Sequence, residues 1–361
     1  MDDQIINNYK VCVRCYTFNH ASYIVETLNG FTMQITNFPF ICTVVDDAST
    51  DGEQNEIRIY LEQYFDLQDN TIVRNEETDD YVLIFARHKT NINCYFAVLF
   101  LKYNHYCIGK PKYEYIDEWH NHAKYTAICE GDDYWTDPYK LQKQVYYLET
   151  HPECGMCYSN FSKYNQKHGT FSHNCLKKEQ IQKYNNLHDW IKLAPYAGPM
   201  TWMYRKDLIS LKPSFNTVDG SFVTFAFFLA ESKVHCLFED NTAVYRVLDN
   251  SASHSRDITK QYKYKKGIHD IQLKLIEYYK SKLLDSNELI TEINQKYYQR
   301  FLFHIIANGS QQELEKAIFY SDKSWPFAKR LLARSAKYTL LSGIIKRLIK
   351  VYLNNNNKIK E

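Results

Sequence analysis

Two adjacent carboxylates, Asp132 and Asp133, close the stretch Cys129-Glu130-Gly131-Asp132-Asp133 and stand just ahead of a helix start. Crowded together, such acids repel one another unless a cation or a donor-rich ligand shares the site. The pair therefore calls for a divalent metal carrying a phosphate compound. A second group, Asp46-Asp47-Ala48-Ser49-Thr50-Asp51-Gly52, ends another short apolar run. His20, His188 and His254 have no shared metal spacing and read as polar loop or core residues. Cys154-Gly155-Met156-Cys157 has no second pair at a zinc-site distance and sits in a strand-like run.

The elements that must carry these acids alternate. Val11 to Tyr16 reads as a strand, followed by a loop through Asn19 and a helix with Ala21, Ile24, Val25 and Leu28 on one face. Ile41 to Val45 is short, β-branched and apolar, as buried parallel strands are, and delivers Asp46 and Asp47 at its end. A helix with Ile57, Tyr60, Leu61 and Tyr64 follows. Tyr125 to Cys129 is a further buried strand, and Asp137-Pro138 starts a helix with Leu141, Val145 and Leu148 inward. The alternation predicts an α/β sheet, mostly parallel and covered by helices, with both acid groups facing one crevice beyond the strands' C-terminal ends. Asn104 to His122, rich in Tyr, His, Lys and Trp, reads as an irregular insertion near that crevice.

Composition narrows the class. The 361 residues suffice for two compact units, and 44 basic against 42 acidic residues leave a net charge of +2, so no global nucleic-acid surface is expected. No apolar run reaches a membrane span, and Met1-Asp2-Asp3-Gln4 lacks the order of a signal peptide, so a cytoplasmic location is expected. Ten cysteines scattered mainly in apolar runs fit reduced core thiols. Beyond Asn250 the pattern becomes helical only. From Lys323 to Lys350 cations interleave with Leu340, Leu341, Ile344, Ile345, Leu348 and Ile349 and no acid occurs. That basic amphipathic pattern suits either peripheral membrane contact or a packed helix with a solvated basic face. Asn354 to Glu361 is expected to be disordered.

Four ordered segments resemble the family 2 glycosyltransferases: Tyr16-Thr17-Phe18-Asn19-His20-Ala21-Ser22-Tyr23-Ile24, Val45 to Gly52, Glu130 to Pro138, and Thr217-Val218-Asp219. Ala243 to Val247 followed by Asn250-Ser251-Ala252-Ser253 looks like the stretch that closes the catalytic domain in many bacterial members. The resemblance implies a GT-A fold, Rossmann-like, over residues 1–255, then a helical region over 256–353 and a tail over 354–361. It implies a nucleotide-diphosphate sugar donor, with Thr17, Phe18 and Asn19 lining the nucleotide pocket and Phe18 packing on the base where Tyr is usual. Asp47 matches the acid that accepts from uracil, which favours a UDP-sugar. Asp46 is its neighbour in the pocket wall, or only caps the following turn.

Asp133 matches the ligand of Mn2+ or Mg2+, and Asp132 the acid that faces ribose beside it. Asp219 matches the catalytic base, although an Asp there also suits the cap of a helix starting near Ser221; Glu231, Glu239 and Asp240 are the nearby substitutes. Trp135 is a possible sugar contact; Tyr134, Trp202 and Tyr204 are as readily core. The implied activity is inverting transfer of single sugars to a cell-surface glycan or lipid-linked glycan acceptor. A nucleotidyltransferase is the weaker enzymatic alternative, since Tyr16 to Tyr23 contains no glycine. An inactive relative that binds nucleotide sugar, or scaffolds other assembly enzymes through the basic helices, is the alternative of a different class.

Overall fold

The computed structural model describes residues 9–215, 217–248, 257–321, 325–337 and 339–358. Met1 to Gln4, Asn250 to Ser253 with His254, the boundary expected at 255 and the last three tail residues lie outside the described residues. The chain divides into two compact units. One comprises Met1–Asn185, Tyr196–Pro213 and Glu231–Val247, the other Asn186–Pro195, Ser214–Ala230 and Leu248–Glu361.

The first unit is built on one sheet. Its strands are β1 (Val11–Thr17), β2 (Phe40–Asp46), β3 (Arg74–Glu77), β4 (Tyr81–Arg87), β5 (Cys94–Leu101), β6 (Tyr125–Ile128), β7 (Tyr134–Trp135), β8 (Cys154–Asn165), β9 (Thr170–Ser172), β10 (Met203–Arg205) and β11 (Lys233–Val247). They lie in the order β3-β4-β5-β2-β1-β6-β10-β8-β11-β7, with β9 bonded to β8. The centre, β5-β2-β1-β6, is parallel. β10 enters antiparallel, and β8 with β11 resumes parallel pairing.

The central strands read as continuous apolar runs because both faces of the sheet are covered. Side chains alternate between faces along a strand. Phe96 of β5 meets Phe31 of helix α1 (Ile24–Thr32) at a ring distance of 6.3 Å, and Phe65, just past helix α2 (Glu53–Tyr64), at 4.5 Å. Tyr95, Ala97 and Leu99 point the other way and pack with Cys12, Ile41 and Val45 against Ile116, Trp119 and Ala123. The segment expected to be irregular supplies that cover through short turns, His105–Ile108, Tyr113–Ile116 and Asp117–His120. On α1 the inward stripe is Ile24, Thr27, Leu28 and Phe31, and Val25 faces solvent instead of the core. Helix α3 (Lys140–Thr150) begins three residues after Asp137, whose carboxylate accepts from Tyr139 N–H at 2.9 Å and so caps the preceding turn.

The second unit is helical. Its main helices are α4 (Gly220–Glu231), α5 (Ile258–Tyr278), α6 (Ser286–Asn308), α7 (Gln311–Phe319), α8 (Phe327–Ser335) and α9 (Thr339–Lys358). Tyr297, Leu302, Ile306, Leu314, Trp325 and Ile349 belong to its core cluster. The two units interleave in sequence, unlike the single boundary expected near 255. The cause is local: Trp190 stacks on Phe225 at 3.9 Å and donates to Phe222 O at 3.1 Å, and Gln272 donates to Ile191 O at 2.6 Å. The Trp190 contacts join residues 186–195 to residues 214–230, and Gln272 ties the first of these stretches to the later helix α5. Asn354 to Lys358, expected in a disordered tail, continue α9, because Ile349 and Leu353 are buried and carry the helix into the Asn run.

Candidate functional site

Asp46, Thr17 and Glu130 follow one another across the C-terminal ends of β2, β1 and β6, and backbone bonds extend the ladder past the strands. Asp47 N–H donates to Thr17 O at 3.0 Å, and Gly131 N–H to Tyr16 O at 3.1 Å. Three loops therefore share one edge, as ligand-binding loops of open parallel sheets do.

The acid loop is packed tightly. A Cβ on Gly131 would lie 2.0 Å from Thr17 Oγ1 and 2.5 Å from Thr17 Cβ, so only glycine fits there. The Thr27 hydroxyl donates to Gly131 O at 2.9 Å and to Asp133 O at 2.7 Å, fixing the loop from α1. Asp133 is buried, and desolvation followed by the repulsion of Asp132 raises its carboxyl well above the usual range. Among the described residues its carboxylate accepts one hydrogen bond, from Arg246 N–H at 2.8 Å. The Asp132 side chain is half-buried and accepts none among the described residues. Two repelling carboxylates with spare oxygens suit a hard divalent cation, which commonly takes one or two protein carboxylates and completes its shell from phosphate and water. Among the described residues no cluster of three or more His, Cys, Asp or Glu offers an all-protein cage.

Arg246 of β11 holds this loop in place. Its Nε donates to Asp132 O at 2.9 Å, its Nη1 to Gln166 at 2.7 Å, its Nη2 pairs with Glu26, and its guanidinium lies over the Tyr23 and Tyr134 rings. Glu53 performs the corresponding task for the other two loops. Its buried carboxylate accepts from His20 N–H at 2.9 Å, from the Ser49 hydroxyl at 2.8 Å and from Thr17 Oγ1. Desolvation raises its carboxyl despite these donors. Asn19, at a φ of 57°, accepts from Thr50 N–H at 2.8 Å and closes the same junction.

The remaining expected residues divide. Phe18 is 41% exposed beside this junction. Asp46 caps its own turn, accepting from Ser49 N–H at 3.1 Å and from Gln54, and burial raises its carboxyl. Asp47 is 1% exposed, and its carboxylate receives His105 N–H at 2.7 Å, Tyr106 N–H at 3.1 Å and Lys112 Nζ at 2.7 Å. That carboxylate anchors the insertion and presents no open face to a base. Trp135 is 2% exposed, donates Nε1–H to Met200 O at 2.7 Å and packs edge-on against Phe31, so it is core and not a sugar platform. Trp202 and Tyr204 are buried as well. Asp219 lies in the helical unit and does the work of a cap: one oxygen accepts from Phe222 N–H at 3.1 Å and from Ser221, and the other receives the Tyr264 hydroxyl at 3.2 Å.

No family model matches the chain. Uncharacterized protein Rv1520 of Mycobacterium tuberculosis and uncharacterized protein Mb1547 of Mycobacterium bovis are each 34% identical over 142 residues, 39% of this chain and 32% of theirs. The match thus spans about a third of the relatives' own length. Among solved structures, S. aureus TarS 1-349 in complex with UDP-GlcNAc superimposes with a TM-score of 0.54 at 13% identity, over 98% of this chain and 92% of that one. The fold is GT-A. The UDP complex of the same TarS fragment gives a TM-score of 0.51 at 14% identity, with the same coverage. The sheet order and the appended helices described above are thus those of a GT-A protein with a C-terminal helical region.

Proposed function

We propose that the chain is an inverting, divalent-metal-dependent glycosyltransferase of family 2. It would move one sugar from a UDP-sugar to a hydroxyl of a cell-surface glycan or lipid-linked glycan at the inner face of the cell membrane. The observation that carries this reading is Asp133, a buried carboxylate raised by desolvation and by its neighbour Asp132 at the C-terminal edge of a parallel sheet. The GT-A likeness to a protein solved with UDP and with UDP-GlcNAc supports the donor class.

In this reading Asp133 and Asp132 would hold Mn2+ or Mg2+, with Asp132 facing the ribose, and the cation when bound would offset charge on the departing diphosphate. Phe18 packs on the base, and Thr17 and Asn19 shape the pocket floor. Asp46 and Asp47 act indirectly, Asp46 by fixing its turn and Asp47 by fixing residues 105–112 beside it. Asp219 takes the proton of the acceptor hydroxyl as that oxygen attacks the anomeric carbon and the bond to UDP breaks, inverting the centre.

One observation favours a second reading, in which nucleotide sugar is bound without transfer: both Asp219 oxygens already serve as cap and as partner of Tyr264. The same assay separates the two. With Mn2+, a UDP-sugar and an acceptor pool, wild type should release UDP, and Asp219→Asn should bind donor about as well while releasing UDP at least about 100-fold more slowly. Undiminished release by Asp219→Asn moves the base elsewhere, and no release by wild type supports binding alone.

A further inference from the structure

Helix α9 carries apolar side chains over a wider arc than one packing face requires. At about 100° per residue, Ile345, Ile349 and Leu353 form one stripe, and Ile344, Leu348, Val351 and Tyr352 form the next. The first stripe is packed: Ile349 and Leu353 belong to the cluster of Leu302, Ile306 and Ala333, with Ile345 against it. The second is open, its four side chains 60, 64, 53 and 53% exposed, and of the four the Tyr352 ring also meets Phe303 edge-on at 5.5 Å. The sequence left two readings of this segment, a packed helix or a membrane-surface helix, and the two stripes accommodate both at once.

Charge identifies the occupant of the open stripe. From Lys323 to Lys360 the chain contains no Asp or Glu. Arg347 flanks the stripe and Lys350 lies one step further round the helix, both exposed, and among the described residues neither they nor Lys346 pairs with an acid. A second copy of the chain would bring the same cations face to face, and like charges oppose such an isologous contact. Anionic lipid headgroups complement the cations, while the aliphatic side chains and the Tyr352 ring enter the headgroup boundary. No helix among the described residues is long and apolar enough to cross a membrane, so the contact is lateral.

We propose that the face of α9 bearing Ile344, Leu348, Val351 and Tyr352 binds the surface of an anionic lipid bilayer. This deepens the location given above, yet it depends on no residue of the donor site. The test is co-sedimentation of the full chain with phosphatidylglycerol-containing vesicles and with pure phosphatidylcholine vesicles. Wild type should pellet with the anionic vesicles only, less so as salt is raised. Leu348→Glu, and separately the pair Arg347→Gln with Lys350→Gln, should each weaken binding about tenfold or more. These sites are exposed, and an unchanged melting temperature would show that the variants fold. Equal binding to phosphatidylcholine, no pelleting at low salt, or a dimer by light scattering that Leu348→Glu dissociates would each overturn the proposal. Vesicle binding without UDP binding would remove the donor reading and leave this one standing; the reverse result would do the opposite.

Discussion

Glu130 shows how strongly burial acts on the acids of this edge. Its carboxylate accepts Tyr16 N–H at 3.1 Å, and burial pushes its pKa to about 6 against the counteracting pull of Arg14, with Asp132 adding to the rise. A folded-state pKa above the unfolded value means that its contribution to stability is complete below the unfolded carboxylate pKa and is lost as pH rises through about 6. Glu130→Gln, which keeps an acceptor for Tyr16, should therefore gain stability relative to wild type between pH 4.5 and 7.5. The gain should be on the order of 1–2 kcal/mol in thermal melts of metal-free protein. A constant difference across that range would contradict the burial argument. The acids at Asp132 and Asp133 were legible in sequence because they are adjacent and end an apolar run. Glu53 and Arg246 were not. Glu53 reads as an ordinary first-turn acid of α2, and the partners of Arg246, Glu26, Asp132 and Asp133, lie more than a hundred residues away. Trp135 misled for a related reason: adjacency to the acids does not reveal that its side chain turns inward onto Phe31 and Met200.

At the scale of elements, the junction between the acid loop and the first loop depends on one missing methyl group. Gly131→Ala drives a Cβ into Thr17, a buried β-branched side chain already fixed by Glu53 and His20, so relief requires the loops to part. The expected cost is about 2–3 kcal/mol in urea unfolding, together with loss of any nucleotide affinity. An unchanged midpoint would mean that the loops are looser than this contact implies. The strands β1, β2 and β6 were predictable from short apolar runs, since burial on both faces leaves no alternation to misread. The face of α1 was misjudged at Val25 because its inward stripe includes Thr27, whose hydroxyl is held by the acid loop. The insertion was expected near the crevice from its place between the two acid groups, but the contacts that hold it there could not be read from its own sequence. Its position follows from Asp47, which receives its backbone N–H groups and Lys112, and from Asp80, which receives Lys110 at 2.8 Å and the Tyr115 hydroxyl at 3.0 Å.

At the scale of the whole molecule, the sheet unit carries the expected nucleotide and metal residues, and the helical unit carries Asp219 and the open face of α9. The helical character of the chain's last third was plain in sequence, but the interleaving of the units was not, because it is set by contacts such as Trp190 on Phe225 between segments far from that boundary. Asp133 is desolvated and repelled by Asp132, and the proposed function gives it a cation that carries a nucleotide diphosphate. Isothermal calorimetry of UDP binding to the full chain, with and without Mn2+, for wild type and Asp133→Ala, tests that central claim most directly. Wild type should bind UDP with Mn2+ and lose at least about tenfold in affinity without it, and Asp133→Ala should bind weakly with or without the metal. Equal affinity of wild type and Asp133→Ala in Mn2+ would contradict the claim.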